Sequence, residues 1–260
     1  MKQIIDIGRK VLYYNTMRDG FTDLHCHIIY GVDDGAKDKE EMFSLLEASY
    51  DDGVRTLCVT PHYHPGYYGH NGEKFDIAYS ELAEYVRTNH PDMDLHRANE
   101  LHWNSNSMEW IQKGMCRTVD GSRYVLVDFS DSEKEKTIIE VMNSMLNSGY
   151  RPILAHPERY VSLSYKTMGR FKERCVDLQL DCGSFFGEYG FLIKRRAHKI
   201  LNFGLCDFVS SDAHHLDSRK TMMTKTFEFI KNKYDEDIAW MLCSENAKKY
   251  LMVGDKNGQN

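Results

Sequence analysis

Residues 49–62 read Ser-Tyr-Asp-Asp-Gly-Val-Arg-Thr-Leu-Cys-Val-Thr-Pro-His, and this short run decides the fold. A helix-like stretch over 39–52 stops at Gly53, the residue type that best tolerates the left-handed turn closing a helix. An apolar, β-branched run over 55–60 follows, short enough for a buried strand. A histidine stands at its end. The same order returns at Ser148-Gly149-Tyr150, a strand over 152–155 and then His156.

Working outward, the pattern predicts strands at 22–27, 55–60, 94–98, 123–129, 152–155, 176–181 and 207–210. Helices are expected at 39–52, 73–89, 107–113, 133–148, 166–174, 191–202 and 221–233. Strands alternating with helices imply parallel pairing through right-handed crossovers. Seven such units suit a single-domain (β/α)7 barrel better than a doubly wound sheet, since no glycine-rich phosphate loop follows any strand. No repeat or linker divides the chain, so one domain is expected over 21–252, with a polar tail at 253–260. Residues 1–20 carry Lys2, Arg9, Lys10 and Arg18. They read as a short extension packed on the barrel, with a basic amphipathic helix touching a membrane or partner as the rival.

The 260 residues carry a net charge of −6 with no long single-sign run, which argues against a nucleic-acid partner. No stretch approaches the length of a membrane span, and Asp6, Arg9 and Lys10 interrupt any signal-peptide core. Seven cysteines lack any CxxC pair and sit among apolar neighbours, the pattern of reduced thiols in a cytoplasmic protein. Homo-oligomerisation is left open.

Barrel enzymes work at the carboxyl ends of their strands. Those ends supply His25 and His27, His62, Glu100, Asp128, His156, and Asp212 with His214. Alternation along a strand sends His25 and His27 to one face. Singly, each such residue is more often a satisfied polar group or a helix cap. Six strand ends converging on one mouth are harder to dismiss. With Asp34 from Gly31-Val32-Asp33-Asp34-Gly35, the set has five histidines and four carboxylates, enough for two or three metal ions. Mixed imidazole and carboxylate donors suit Mn²⁺, Zn²⁺ or Fe²⁺ better than a cysteine-rich structural zinc site. Three divalent ions would leave about +2 of formal charge and attract an anion such as a phosphate ester. Arg159 and Arg219 follow His156 and His214 closely enough to meet that phosphate, although either could be a surface ion pair. The aromatic, glycine-rich loop 63–70 is either a substrate-facing flap or a clasp over the rim.

Asp23-Leu24-His25-Cys26-His27, Gly31-Val32-Asp33-Asp34-Gly35, Thr60-Pro61-His62, Ala155-His156-Pro157-Glu158-Arg159 and Ser211-Asp212-Ala213-His214 resemble the motifs of the PHP (polymerase and histidinol phosphatase) superfamily. Gly53-Val54-Arg55-Thr56, Phe185-Phe186-Gly187-Glu188 and Leu216-Asp217-Ser218-Arg219 are similar to its CpsB/YwqE-type protein-tyrosine phosphatases of capsule and exopolysaccharide synthesis. The resemblance implies a distorted (β/α)7 TIM-like barrel, the PHP fold, with three ions, usually manganese and otherwise Fe²⁺, Zn²⁺ or Mg²⁺. It implies that His25, His27, Glu100 and Asp212 hold one ion, while Glu100 bridges to a second held by Asp128 and His156. Asp34, His62 and His214 would hold the third, and Arg159 and Arg219 would face phosphate. It further implies a partner, a tyrosine autokinase with a tyrosine-rich tail. Asp128 stands where relatives often carry Glu, a shorter reach, and residues 1–20 have no counterpart in the family pattern.

None of the seven cysteines has an arginine six positions later, so the thiolate phosphate loop of cysteine phosphatases is absent. In-line attack by a metal-bridging hydroxide is the expected chemistry. The rivals are a phosphatase for a small metabolite such as histidinol phosphate and a catalytically silent metal-binding scaffold.

Overall fold

A computed structural model describes residues 18–68 and 72–252, so most of the N-terminal extension, the 253–260 tail and the end of the 63–70 loop lie outside the described residues. The chain runs β1 (Phe21–Cys26), α1 (Lys39–Asp51), β2 (Val54–Val59), β3 (His62–Tyr63), α2 (Gly72–Asn89), β4 (Asp94–Arg97), β5 (Glu100–His102) and α3 (Ser107–Gln112). It continues with β6 (Tyr124–Asp128), α4 (Glu135–Asn147), β7 (Arg151–Ala155), α5 (Tyr165–Glu173), β8 (Asp177–Asp181), α6 (Cys182–Phe186), α7 (Phe191–Asn202) and β9 (Phe208–Ser210). Helices α8 (Met223–Lys233), α9 (Glu236–Trp240) and α10 (Asn246–Met252) follow, the last two joined by a π-turn over Met241–Glu245.

Local chemistry sets these boundaries. Asp38 caps α1 by accepting from the Glu41 N–H, and Gly53 with φ +88° closes it before β2. Ser164 and Asp235 cap α5 and α9 in the same way. The seven expected strands are all present, each within a residue or so of its expected limits. Two of them continue past a break: β2 resumes as β3 after Thr60-Pro61, and β4 resumes as β5 after Ala98-Asn99. Pro61 cannot donate to a ladder, and Glu100 N–H is shared between the carbonyls of Thr60 and Pro61 at 3.3 and 3.2 Å. The sequence pattern did not anticipate these resumptions, nor α6, α9 and α10.

Every strand pair is parallel. Two sheets result, β1-β2-β4 and β3-β5-β6-β7-β8-β9, so the seven segments follow one another in chain order. Among the described residues no continuous ladder closes β9 onto β1, which departs from a fully closed barrel. The seam is held by a single bridge between Cys26 and Ala213 and by Asp212 N–H to the His25 carbonyl and His27 N–H to the Ala213 carbonyl, both 2.8 Å. Buried Asp23 replaces the missing rungs, accepting from the Ser211 N–H at 3.0 Å and from the Ser211 hydroxyl at 2.5 Å.

Leu126 lies two residues before Asp128 on β6 and shares its face. It packs with Leu24, Cys58, Ala98, Ile153 and Phe208, and with Tyr250 and Leu251 of α10. This apolar floor lies below the mouth, and a larger core fills the space between strands and surrounding helices. Dense apolar packing on both sides fixes the strand ends that carry the polar residues.

Candidate metal centre

The nine residues expected to bind metal gather at the carboxyl ends of the strands. His25, His27, Glu100, Asp212 and His214 are at most 1% exposed, while Asp128 and His156 are 7% and 4% exposed. His62 and Asp34 lie at the rim, their side chains 15% and 43% exposed.

Three groups of donors converge, each within 4.8 Å: His27, Asp34, His62 and His214; His25, His27 and Glu100; and His62, Glu100 and Asp128. Asp212 joins the second, its Oδ1 lying 3.4 Å from His25 Nε2 and 3.5 Å from His27 Nε2. His156 Nε2 is 2.9 Å from Glu100 Oε1. Two residues stand between these groups. His27 also approaches the Asp34 group, and His62 also approaches Glu100 and Asp128. Asp128, despite its shorter side chain, still reaches Glu100 and His62, and its other oxygen meets His102 Nδ1 at 3.0 Å.

The donor set fits divalent ions. His25 Nε2 and His27 Nε2 approach to 3.2 Å, and each lies 3.3 Å from Glu100 Oε2. Donors about 2.1 Å from a common tetrahedral centre lie roughly 3.4 Å apart, so this spacing matches atoms sharing an ion. Asp128 Oδ1, Asp212 Oδ1 and His214 Nε2 are buried with no hydrogen-bond partner, and His62 Nδ1 meets Glu100 Oε2 at 2.9 Å. Three orphaned polar atoms in one cluster would be costly in a metal-free protein.

Electrostatics without metal shows the same frustration. Burial disfavours the charged form of His25, yet Glu100 and Asp212 overcome it and push its pKa up to about 10. Burial likewise opposes charge on His62, and Glu100 reverses that, again to about 10. Burial and the neighbouring His27 drive His214 down to about 4. Burial would raise Glu100 and Asp212, but His25 and His62 around the first and Arg159 and Arg219 around the second hold both well below the carboxylate range.

Surrounding residues orient the donors. Asp33 Oδ2 accepts from His27 Nδ1 at 2.7 Å and from the His62 N–H at 2.9 Å. Gln179 Oε1 pairs with His25 Nδ1 at 3.0 Å, and Tyr160 hydroxyl lies 3.3 Å from His156 Nδ1. Such partners fix ring tautomer and direction. His156, Asp212 and Arg219 also adopt left-handed backbone conformations, with φ of 33°, 53° and 47°. Strain of this kind persists where the surroundings enforce it.

Both expected arginines stand at the mouth. Arg159 Nη2 contacts Asp181 and donates to Asp212 Oδ2 at 2.5 Å, and its guanidinium lies 3.9 Å from the Tyr189 ring centroid. Arg219 Nη2 donates to the same Asp212 oxygen at 2.8 Å. The Nε of each arginine is buried without a partner. Asp33, Gln179, Asp181 and Tyr189 were missed in the sequence. Asp181 at the end of β8 and Gln179 two residues before it could have been found by the strand-end rule used for the others.

A family model for CpsB/CapC, capsular polysaccharide synthesis, matches residues 21–252. The tyrosine-protein phosphatase CpsB of Streptococcus pneumoniae is 31% identical over 243 residues, covering 88% of this chain and 98% of that protein. Tyrosine-protein phosphatase YwqE of Bacillus subtilis is 25% identical over 233 residues, covering 88% and 91%. The fold resembles a chain from the crystal structures of YwqE from Bacillus subtilis and CpsB from Streptococcus pneumoniae, described as metal-dependent tyrosine phosphatases. That likeness has a TM-score of 0.81 at 24% identity and covers 89% of this chain and 94% of that one. A phosphotriesterase homology protein from Escherichia coli shares the fold more distantly, with a TM-score of 0.58 at 11% identity over 90% and 99% of the two chains. The family match spans almost all of the described residues, and the relative at 31% identity covers most of both chains: this chain belongs to the CpsB/CapC family of capsular polysaccharide synthesis.

Proposed function

We propose that this protein is a metal-dependent tyrosine phosphatase, hydrolysing the phosphate monoester of phosphotyrosine in proteins. One observation carries the reading: two guanidinium groups, each with an unpaired buried Nε, face a cluster of seven imidazole and carboxylate donors that Asp212 and His156 extend to nine. An anion with several acceptor oxygens satisfies both halves of such a site. The names of the relatives, tyrosine-protein phosphatases, support the substrate class.

Bound divalent ions would supply Lewis acidity toward the phosphoryl oxygens and lower the pKa of water. Three ions, with manganese preferred, agree with the donor count and its mixture of nitrogen and oxygen. The chain's own residues do the rest. Asp212 fixes Arg159 and Arg219 by bonding both, so their planar forks are oriented before substrate arrives. Their free Nε–H groups can then donate to phosphate as charge develops. Tyr189 stacks on Arg159 and limits its movement.

The proposal extends to a cytoplasmic location and to a tyrosine autokinase with a tyrosine-rich tail as the protein substrate. Cys26, Cys58, Cys116, Cys182, Cys206 and Cys243 are buried free thiols, which supports a reducing compartment, and no described helix is long and apolar enough to cross a membrane. The test compares hydrolysis of a phosphotyrosyl peptide and of histidinol phosphate by the manganese-loaded protein, with metal content measured in parallel. Turnover of the peptide that chelation abolishes is expected. Preference for histidinol phosphate, or full activity in verified metal-free protein, would overturn the reading.

A further inference from the structure

Five rings form an arch over one side of the mouth. His102 stacks on His64 with centroids 4.1 Å apart, and His64 stacks on Tyr67 at 5.4 Å and 14°. Tyr67 meets Tyr68 edge to face at 4.8 Å, and Tyr68 lies parallel to His62 at 5.4 Å and 5°. Both feet of the arch stand on the metal centre. His62 is itself a candidate ligand, and His102 bonds Asp128, another. Near the first foot, Tyr68 is joined to the rim carboxylate of Asp34.

The crown behaves differently from the feet. Tyr67 is 74% exposed, on a turn where Gly66 takes φ +94°. A Cβ on Gly66 would meet nothing within 4 Å, so sterics do not demand the turn shape; its positive φ does. Among the described residues the rings that meet Tyr67 are His64 and Tyr68 of the arch, and most of its own ring faces water. A large ring left in water beside a polar centre is placed to pack another ring.

We propose that this arch, with Tyr67 at its crown, is the specificity wall of the site: it packs the phenyl ring of an aryl phosphate whose phosphoryl group lies at the metal centre between Arg159 and Arg219. The inference rests on the phosphatase reading and adds the residues that select the aromatic ester. An aryl ester places its ring one oxygen from phosphorus, beside the rim on which the arch stands. An aliphatic phosphate such as phosphoserine presents no ring there and gains nothing from the wall. Offset or edge-to-face packing of one ring pair is worth a few-fold to about tenfold in affinity.

The experiment uses the full chain, loaded with manganese, and the non-hydrolysable pair phenylphosphonate and methylphosphonate. Both carry the same anion, so the ratio of their dissociation constants reports ring contact without leaving-group chemistry. Tyr67→Ala is expected to reduce the preference for phenylphosphonate by about threefold to tenfold with unchanged metal content, while Tyr67→Phe keeps it. An unchanged ratio in Tyr67→Ala, with wild-type protein hydrolysing a phosphotyrosyl peptide, would overturn the wall alone. Failure of metal-loaded wild-type protein to hydrolyse that peptide would overturn the phosphatase reading beneath it.

Discussion

The inner half of the mouth and its rim are made of the same residue types but differ in burial and in redundancy. Inside, His25, His27, Glu100 and Asp212 are sealed from solvent, and each acts on several neighbours. At the rim, Asp34 is 43% exposed and Arg219 29%, both open to water on one side. Removing an inner charge leaves others buried and uncompensated, whereas water can replace much of what a rim residue supplies. The difference teaches that an identical substitution should cost structure and metal inside, but mainly affinity outside.

The largest expected effect is therefore at Asp212, which neutralises Arg159 and Arg219 and faces His25. Asp212→Ala should abolish metal uptake and turnover together. It should also destabilise the protein by about 3–5 kcal/mol, the usual result of stripping one partner from a buried ion pair. Denaturant unfolding beside metal analysis checks this; a variant as stable as wild type would erase the distinction between inner and rim halves.

Next come the arginines. Arg159→Ala should lower kcat/KM about 100- to 1000-fold with metal retained, as for loss of one oriented donor set. Arg219→Ala should lose less, its side chain being 29% exposed against 15% for Arg159. Lysine at either position should rescue only partly, because a point charge does not reproduce the fork. Equal losses in both alanine variants would count against a graded mouth.

Protons sharpen the comparison further. In metal-free protein the raised pKa values, about 10 for His25 and about 10 for His62, mean that both rings are charged at neutral pH. A metal requires the neutral ring, so manganese uptake at pH 7 should release protons and weaken as pH falls. Calorimetry in buffers of different ionisation enthalpy measures that release. For metal-free stability the sign is opposite. A raised histidine pKa contributes fully below about 6.5 and is lost as pH climbs through about 10, so metal-free protein should melt earlier at pH 9 than at pH 6. Asp34→Asn, at the rim, keeps an oxygen donor and should weaken metal binding less than Asp212→Ala does, with activity recovered in excess manganese.

The strand–helix alternation was legible because buried parallel strands are short apolar runs and Gly53 and Gly149 mark helix ends. Chemistry at strand ends was legible because His62 follows Pro61 and His156 follows Ala155, where the hydrophobic period stops. The resumption of β2 as β3 was not, since two residues after a proline carry no period to read. Nor was the seam between β1 and β9, because it depends on Asp23 bonding Ser211 across 188 positions. Asp33 and Asp34 show the limit at the site: neighbours of the same length, one accepts from His27 and the other faces His214. Nothing in the order Asp-Asp says which does which.

The smallest effect is expected on the other face of β1. Cys26 lies between two candidate ligands, yet its Sγ points away from them, toward the Cys58 carbonyl at 3.6 Å, and is fully buried. Burial, with the nearby Asp23 carboxylate, pushes its thiol well above the usual range, so no thiolate forms near neutral pH. Cys58, Cys182 and Cys206 are raised in the same way, by burial first. Cys26→Ala should thus keep its metals and a rate within about threefold of wild type. A modest loss of stability is expected from the small cavity, about 1 kcal/mol for a group the size of a methyl. Alternation explains why: the histidine on either side faces the mouth, and the residue between them faces the packed side. Loss of all turnover in a folded, metal-replete Cys26→Ala protein would mean that the two faces of β1 are not chemically separate, and would return a cysteine to the reaction.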